Sequence, residues 1–450
     1  MFQAAVRPPF AFEGFANETF DERLSALTSR RRRIAYYYDV PDTCIFRYRV
    51  LNMVQALAAW PEGGISASWF SRRDLGEMQR FIDRADALVI CRALYTSAID
   101  RLVTRAKARR IPVLFDCDDL VFDTNYVPLL MQSLDLDPNH EESLQYWYAR
   151  IARYGAVMRL CDRAIATNSF LAGKMGSSAG HIRCDVIPNF LHAVQQAVSA
   201  ELYAAKRQSG FESDGTITIG YFSGSPTHDR DFAVVAPALT RLLDQDARIR
   251  LRVVGFLGAR DRLDKYGDRV EFYPVQDPIN LQRLIAETEI NIAPLQNNLF
   301  TNCKSELKYF EAAVAGTLTV ATPTYTFSRA IVDGENGFLA NAFEWDDKLQ
   351  KARDTVDNPS RYAAMAQRAF DHADSNYGWN RQGALIAATV FDRQSTGGPG
   401  LLAATHPAAA EEVAPSGLAE LSPTSGSTSG GPQTGHSATS TIRPSPIVED

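Results

Sequence analysis

NLFTNCKSELKYFEAAVAGTLTVATPTYTFSRAIVDGENGFLA, Asn298 to Ala340, is the stretch whose reading decides the fold. Just upstream, EINIAPL (Glu289 to Leu295) alternates and then runs apolar, as a buried parallel strand does. The polar loop Gln296 to Cys303 follows it. From Ser305 the apolar residues Leu307, Phe310, Ala313 and Val314 recur at helical spacing, while Lys304, Lys308 and Glu311 fall on or near another face. Gly316 ends the helix before a second apolar strand, LTVAT. Strand, polar loop, helix, glycine and strand in this order are the grammar of an α/β domain.

A loop-to-helix junction exposes free backbone N–H groups at the positive end of the helix dipole, which suits a phosphate, and Ser305 adds a hydroxyl donor. Lysines beside it supply point charges for a diphosphate. Glu311, one to two turns in, accepts hydrogen bonds at two oxygens and so matches a ribose diol. The same residues also describe an ordinary amphipathic helix capped by Ser305, with Lys and Glu on its wet face. Taken alone, the helix favours that second reading.

Glu311-Ala-Ala-Val-Ala-Gly316-Thr-Leu-Thr-Val-Ala resembles the second-glutamate segment of retaining GT-B glycosyltransferases of the family 4 type. Ile331-Val-Asp-Gly-Glu-Asn-Gly337-Phe-Leu is similar to the segment that follows in the same family. Cys303 stands where the family's usual motif has its first glutamate. Lys304-Ser305-Glu306-Leu307-Lys308-Tyr309-Phe310-Glu311 is instead similar to a pattern in bacterial surface-polysaccharide transferases. The resemblance implies donor contacts from Lys304, Ser305, Lys308 and Glu311, with retention of anomeric configuration.

Outward from this stretch the chain alternates strand and helix. RIAYYYDV, SASWF, ALVICRA, PVLFDCDD, RAIATN and CDVIPN read as strands of a first half, and ITIGYFS, RLRVVGF, VEFYPV, EINIAPL and TLTVAT as strands of a second. The segment CDRAIATNSFLAGKM with CDVIPNF resembles the end of a first GT-B domain. The expected fold is therefore α/β, of GT-B type, with two doubly wound Rossmann-like domains and a cleft between them. The expected divisions are an extension over 1–31, an acceptor domain over 32–195, a linker over 196–215, a donor domain over 216–375 and a crossover helix over 376–393. Beyond 394 the composition turns to Gly, Pro, Ser, Thr and Ala, which predicts a disordered tail over 394–450.

At 450 residues the chain has room for two ordinary domains and a tail. Its net charge of −6 carries no concentrated basic excess, which excludes a nucleic-acid partner from the expectation. Arg30 to Arg33 reads as a solvated basic run. The six cysteines show no CxxC pair and no His partner at metal spacing, which fits a reducing compartment. No run approaches the roughly 20 apolar residues of a membrane helix, and the first residues lack the apolar core of a secretory signal. A cytoplasmic protein is expected, with peripheral association at the inner face of the membrane compatible with the sequence.

FDCDDLVFD places Asp116, Asp118, Asp119 and Asp123 at the C-terminal end of a buried strand, where open parallel sheets bind ligands. Clustered carboxylates can orient hydroxyls, act as a base or hold a cation, and they equally cap a following helix and pair with Arg. The segment resembles a signature of the same polysaccharide transferases, which assigns it to the acceptor side. Arg47 and Arg49 open the first helix, either as ligand forks or as a surface start with Asp42 nearby. Arg92 closes the apolar strand ALVICRA, an odd place for a charge unless it serves the crevice. In GYFSGSPTHDRDF the small residues Gly224 and Ser225 suit close approach of phosphate, and the resemblance adds His228 as a donor contact.

These readings converge on transfer of a sugar from a nucleotide diphosphate sugar to a carbohydrate or lipid-linked acceptor. The catalytic candidates are Asp116, Asp118, Asp119, Arg92 and Lys304. Those for the donor are Gly224, Ser225, His228, Lys304, Ser305, Lys308 and Glu311. No cofactor and no metal are expected, since GT-B enzymes usually need no metal held by a DxD motif. Two rivals stand: an epimerase on the same fold, and a silent nucleotide-sugar-binding scaffold, suggested by Cys303.

Overall fold

The first sheet contains β1 (Arg32–Tyr37), β2 (Ile65–Phe70), β3 (Ala87–Cys91), β4 (Val113–Cys117), β5 (Arg163–Ala166) and β6 (Cys184–Val186) in the order β2-β1-β3-β4-β5-β6. All its pairings are parallel. The near-continuous apolar runs of β3 and β4 are buried at every position, as strands covered by helices on both faces must be. The second sheet contains β7 (Ile217–Ser223), β8 (Ile249–Gly255), β9 (Val270–Tyr273), β10 (Ile290–Ala293), β11 (Leu318–Ala321) and β12 (Phe338–Leu339) in the order β12-β11-β10-β7-β8-β9. Five of these strands are legible in the sequence; β12, two residues paired with β11, is too short to show a period.

This computed structural model describes residues 1–178, 180, 182–224, 229–258 and 263–391. The tail expected over 394–450 lies outside the described residues, as do Ser225 and His228. In each sheet the chain reverses its direction of winding, between β1 and β3 in the first and between β7 and β10 in the second. Ligands of open α/β sheets bind outside the carboxyl ends of the strands at such points. The loops after β3 and β10, which carry Arg92 and Lys304, start there.

The expected divisions need three changes of emphasis. Phe2 and Ala5 belong to the core of the second sheet, not to a free extension: Phe2 packs edge-on against Phe211 and Tyr362, at 6.0 and 5.2 Å between ring centroids. The helix Phe20–Leu27, by contrast, is bound to the first domain through Arg23, which forks onto Asp74 (2.7 and 2.9 Å) and lies over the Trp69 ring at 4.1 Å. The stretch expected as a linker falls mostly on the helix Ala193–Gln208, whose Gln195, Ser199, Leu202, Tyr203 and Lys206 are buried. Its Lys206 Nζ donates to Ala315 O (2.8 Å) and Thr317 Oγ1 (3.1 Å), so the helix is a packed part of the fold.

The chain ends its described course by crossing back. After the helix Pro359–Tyr377, the helix Gly383–Phe391 lies against Asn52–Ala58 of the first domain. Gly383 permits the approach, since a Cβ there would stand 2.6 Å from Trp60 Cβ. Arg163, on β5, donates to Thr389 O and Val390 O at 2.7 and 2.8 Å, which ties down the last carbonyls of that helix.

Candidate functional site

The first-domain wall starts at Arg92, directly after β3. Its φ of 38° lies in the left-handed region that non-glycine residues avoid, and its N–H donates to Asp116 O at 2.8 Å. Local strain of this kind is worth about 1–3 kcal/mol and persists where surroundings enforce it. The Arg92 guanidinium reaches Asp118 Oδ1 at 3.2 Å and lies 5.8 Å from the Tyr154 ring centroid. Asp119 turns its Oδ1 to the N–H of Leu120 (2.9 Å) and its Oδ2 outward. Asp123 serves locally, accepting from Asn125 N–H and from the Ser178 hydroxyl.

Asp116 does not belong to this wall, which corrects the expectation of a catalytic role. It is 1% exposed and takes the full fork of Arg49, at 2.8 Å from Nε and 2.9 Å from Nη2. Arg49 spends its remaining donors on Ile187 O (2.9 Å) and Asn189 Oδ1 (3.0 Å). A base must touch its substrate, and this carboxylate is sealed inside the sheet's covering layer. The surface reading of Arg47 and Arg49 is corrected with it. Both lie in a π-helical turn, Arg47–Leu51, and are buried, Arg47 against Gln195 and Glu311 and Arg49 against Asp116.

The second-domain wall is the junction after β10. A short helix, Leu299–Asn302, capped by Asn298, precedes Lys304 and Ser305, and the site helix runs over Leu307–Val314. Ser305 is not its cap: the residue before the helix is Glu306, without a side-chain cap bond. Ser305 Oγ instead accepts from Asn189 Nδ2 of the first domain at 2.9 Å, and Asn168 Nδ2 donates to Cys303 O at 2.9 Å. Lys304 Nζ stands 3.7 Å from Asp119 Oδ2 and 4.9 Å from the Phe300 ring centroid, joining the two walls.

Lys308 is the most unusual group here. Its Nζ is buried without a hydrogen-bond partner among the described residues and lies 5.4 Å from the Tyr221 ring centroid. Burial pushes its ammonium down to about 8; the nearby carboxylates of Asp231 and Glu311 oppose the shift and Lys304 adds to it. A buried, unpaired ammonium of this kind is expensive unless an anion arrives. Arg92 and Lys304 have aspartate partners, whereas Lys308 has none in hydrogen-bonding contact.

Glu311 is 4% exposed and acts across the domain junction. Its Oε1 accepts from the Tyr48 hydroxyl and from Gln195 Nε2 (3.0 Å), with Arg47 Nη2 at 3.7 Å. Oε2 takes no hydrogen bond among the described residues and is not sealed, so it is the oxygen open to a diol. Gly224 follows β7 and is exposed. The partners Tyr48, Gln195, Asn168 and Tyr221 carry no sequence signal toward the site. Asn189 had one, as the last residue of Val186-Ile-Pro-Asn189. Among the described residues no three His, Cys, Asp or Glu side chains form a metal site, and no helix is long and apolar enough to cross a membrane.

Residues 217–358 match the family described as Glycosyl transferases group 1, a span that holds both lysines, Ser305 and Glu311. The chain is similar to D-inositol 3-phosphate glycosyltransferase of Corynebacterium aurimucosum, 27% identical over 219 residues, which cover 43% of this chain and 49% of that one. Its counterpart in Streptomyces scabiei is 25% identical over 261 residues, 53% of this chain and 56% of that one. The chain thus spans about half the length of these curated relatives. Among solved structures it resembles Anabaena HepE in complex with UDP, with a TM-score of 0.52 at 14% identity, over 79% of this chain and 99% of that one. WaaG, a glycosyltransferase involved in lipopolysaccharide biosynthesis, matches with a TM-score of 0.52 at 14% identity, over 80% of this chain and all of that one. Two parallel six-stranded sheets matched along the full length of such structures make the fold GT-B.

Proposed function

We propose that this chain, whose second domain matches the group 1 glycosyl transferases, moves a sugar from a nucleoside diphosphate sugar to a carbohydrate or lipid-linked acceptor in glycan biosynthesis. The observation that carries the reading is the unpaired ammonium of Lys308, buried beside Lys304 at the switch point of the second sheet. A diphosphate supplies the missing charge. Lys304 and Lys308 hold it and stabilise the negative charge that grows on the leaving group, and Glu311 Oε2 takes the ribose. Ser305 follows Lys304 at the same junction; Gly224, Ser225 and His228 are donor contacts by the sequence reading alone.

On the facing wall Arg92, Asp118 and Asp119 orient the acceptor hydroxyl and the transferred sugar. A cleft between two domains keeps water from competing with the acceptor. Transfer proceeds with retention, following the family that the motif resembles. The HepE complex with UDP supports a uridine nucleotide as the first donor to try. Peripheral membrane association at the inner face accords with a lipid-linked acceptor.

The test incubates UDP-glucose and other nucleotide sugars with the full chain, with and without acceptor panels, and follows nucleotide release and product configuration by NMR. Acceptor-dependent release with a retained anomeric centre is expected. Epimerised donor without release of nucleotide, or tight donor binding without turnover across the panels, would replace transfer by one of its rivals.

A further inference from the structure

The helix Glu141–Leu160 leads away from the first-domain wall, and one face of it carries Tyr146, Arg150 and Tyr154 at successive spacings of four. The Arg150 guanidinium lies over both rings, 5.8 Å from the centroid of Tyr146 and 5.6 Å from that of Tyr154, and its Nη1 donates to Tyr146 Oη at 3.3 Å. Tyr154 in turn faces Arg92, which holds Asp118. Beside this face, Arg153 Nε donates to Tyr95 O at 2.9 Å and Tyr95 N–H donates to Arg153 O at 3.2 Å. These bonds fasten the loop after β3 to the helix. The result is a continuous ladder, Tyr146, Arg150, Tyr154, Arg92, from solvent to the site.

Core packing accounts for Tyr154, 5% exposed within the first-domain core, but not for Tyr146 and Tyr95, 40% and 38% exposed. The ladder's inner cation, Arg92, is neutralised, but among the described residues its outer one, Arg150, is not. Asp118 is taken by Arg92, and Asp39, the carboxylate acting on Tyr154, is held by the Tyr37 hydroxyl at 2.6 Å and by Arg72 at 3.3 Å. Neither Arg150 nor Arg153 forms an ion pair among the described residues. Tyrosine faces suit the C–H faces of sugar rings, and guanidinium forks suit carboxylates.

We propose that this face of Glu141–Leu160 binds an anionic saccharide, a glycan bearing carboxylates, and delivers its end to Arg92 and Asp118. The inference rests on the transferase reading, since an acceptor is what must reach those residues. It adds to that reading the charge of the acceptor and the residues that select it.

The test uses the full chain with UDP bound and measures, by NMR saturation transfer, a glucuronate-containing tetrasaccharide and its carboxyl-reduced counterpart. UDP affinity is followed separately by calorimetry. The acidic saccharide should bind about tenfold tighter than the neutral one, the scale of one charge-assisted contact. Arg150→Gln should erase most of that preference, and Tyr146→Ala should weaken both saccharides, with UDP affinity unchanged in each. Both residues sit on an exposed face, and unaltered UDP binding reports that the variants fold. Equal binding of the two saccharides, no binding of either, or variants that behave as wild type would overturn the subsite while UDP binding keeps the transferase reading. Competition by tripolyphosphate as strong as by the tetrasaccharide would reduce the face to a general anion patch and also overturn it. Failure of the wild-type chain to bind any nucleotide sugar would remove the transferase reading and this inference together.

Discussion

Lys308→Met removes the buried ammonium of the site helix while keeping a flexible stem of similar length. The ammonium is pushed from the usual 10.5 to about 8, chiefly by burial. At 1.36 kcal/mol per unit of pH, that drop corresponds to roughly 3 kcal/mol of unfavourable free energy in the folded chain. The stem is partly exposed, so about 1–3 kcal/mol is expected to be recovered. The sign follows from proton counting. Below pH 8 the lysine is charged in both states and the folded state carries the whole cost. Between pH 8 and 10.5 only the unfolded state holds the proton, so wild-type stability rises with pH and the cost fades. Without ligand, Lys308→Met should therefore unfold later than wild type at pH 7, and the gap should close as pH rises through that window. With UDP the gap should shrink by about 2 kcal/mol, because a phosphate pairs the wild-type ammonium and has nothing to pair in the variant. A loss of UDP affinity of about 30-fold corresponds to roughly 2 kcal/mol for that pairing. Thermal unfolding at pH 7 and 9, with and without UDP, and calorimetric titration of UDP measure all of this. A variant less stable than wild type without ligand, or one that binds UDP equally well, would refute the reasoning.

Asp116→Asn should destabilise the chain by about 3–5 kcal/mol in urea, because it leaves the buried Arg49 without its counter-charge. The folded fraction should bind UDP as wild type does; weakened binding there would return Asp116 to the site. Glu311→Ala should weaken UDP about tenfold in a protein whose circular dichroism stays native, and unchanged affinity would remove the ribose role. His192 is held neutral, pushed down to about 4 by burial with Arg47 adding to the shift, and its Nδ1 accepts from Val194 N–H at 3.2 Å. Since the unfolded chain binds that proton first, stability should fall as pH drops from about 6.5 toward 4. The contribution at pH 5 is about 2 kcal/mol. His192→Gln should lose this slope; equal urea midpoints shifts between pH 7 and 5 in both proteins would contradict the assignment.

The α/β alternation and its division into two sheets were legible because buried parallel strands are continuous apolar runs, and ALVIC and VLFDC can be little else. Phe2 could not be placed from sequence, because nothing local tells a phenylalanine which of two cores it joins. The helix Ala193–Gln208 looked like a linker for a related reason: its buried face mixes Leu202 and Tyr203 with Gln195, Ser199 and Lys206, polar residues that reach Glu311, Gln282 and Ala315 far along the chain. At the site, the residue types suggested chemistry, but partner choice did not follow from them. Asp116, Asp118 and Asp119 read alike in a row, whereas the sheet turns the first inward onto Arg49 and leaves the other two to face Arg92 and Lys304.

The sequence by itself determined the class of fold and the polarity of the junction at Lys304 to Glu311, because periodicity and composition are local properties that every residue reports. Only the tertiary structure decided which charges are already neutralised. It set Lys304 on Asp119 and Arg92 on Asp118, drew Tyr48 and Gln195 onto Glu311, and left Lys308 without a hydrogen-bond partner among the described residues. Electrostatic need is a property of pairs brought together from distant parts of the chain, and spacing along one chain does not encode it.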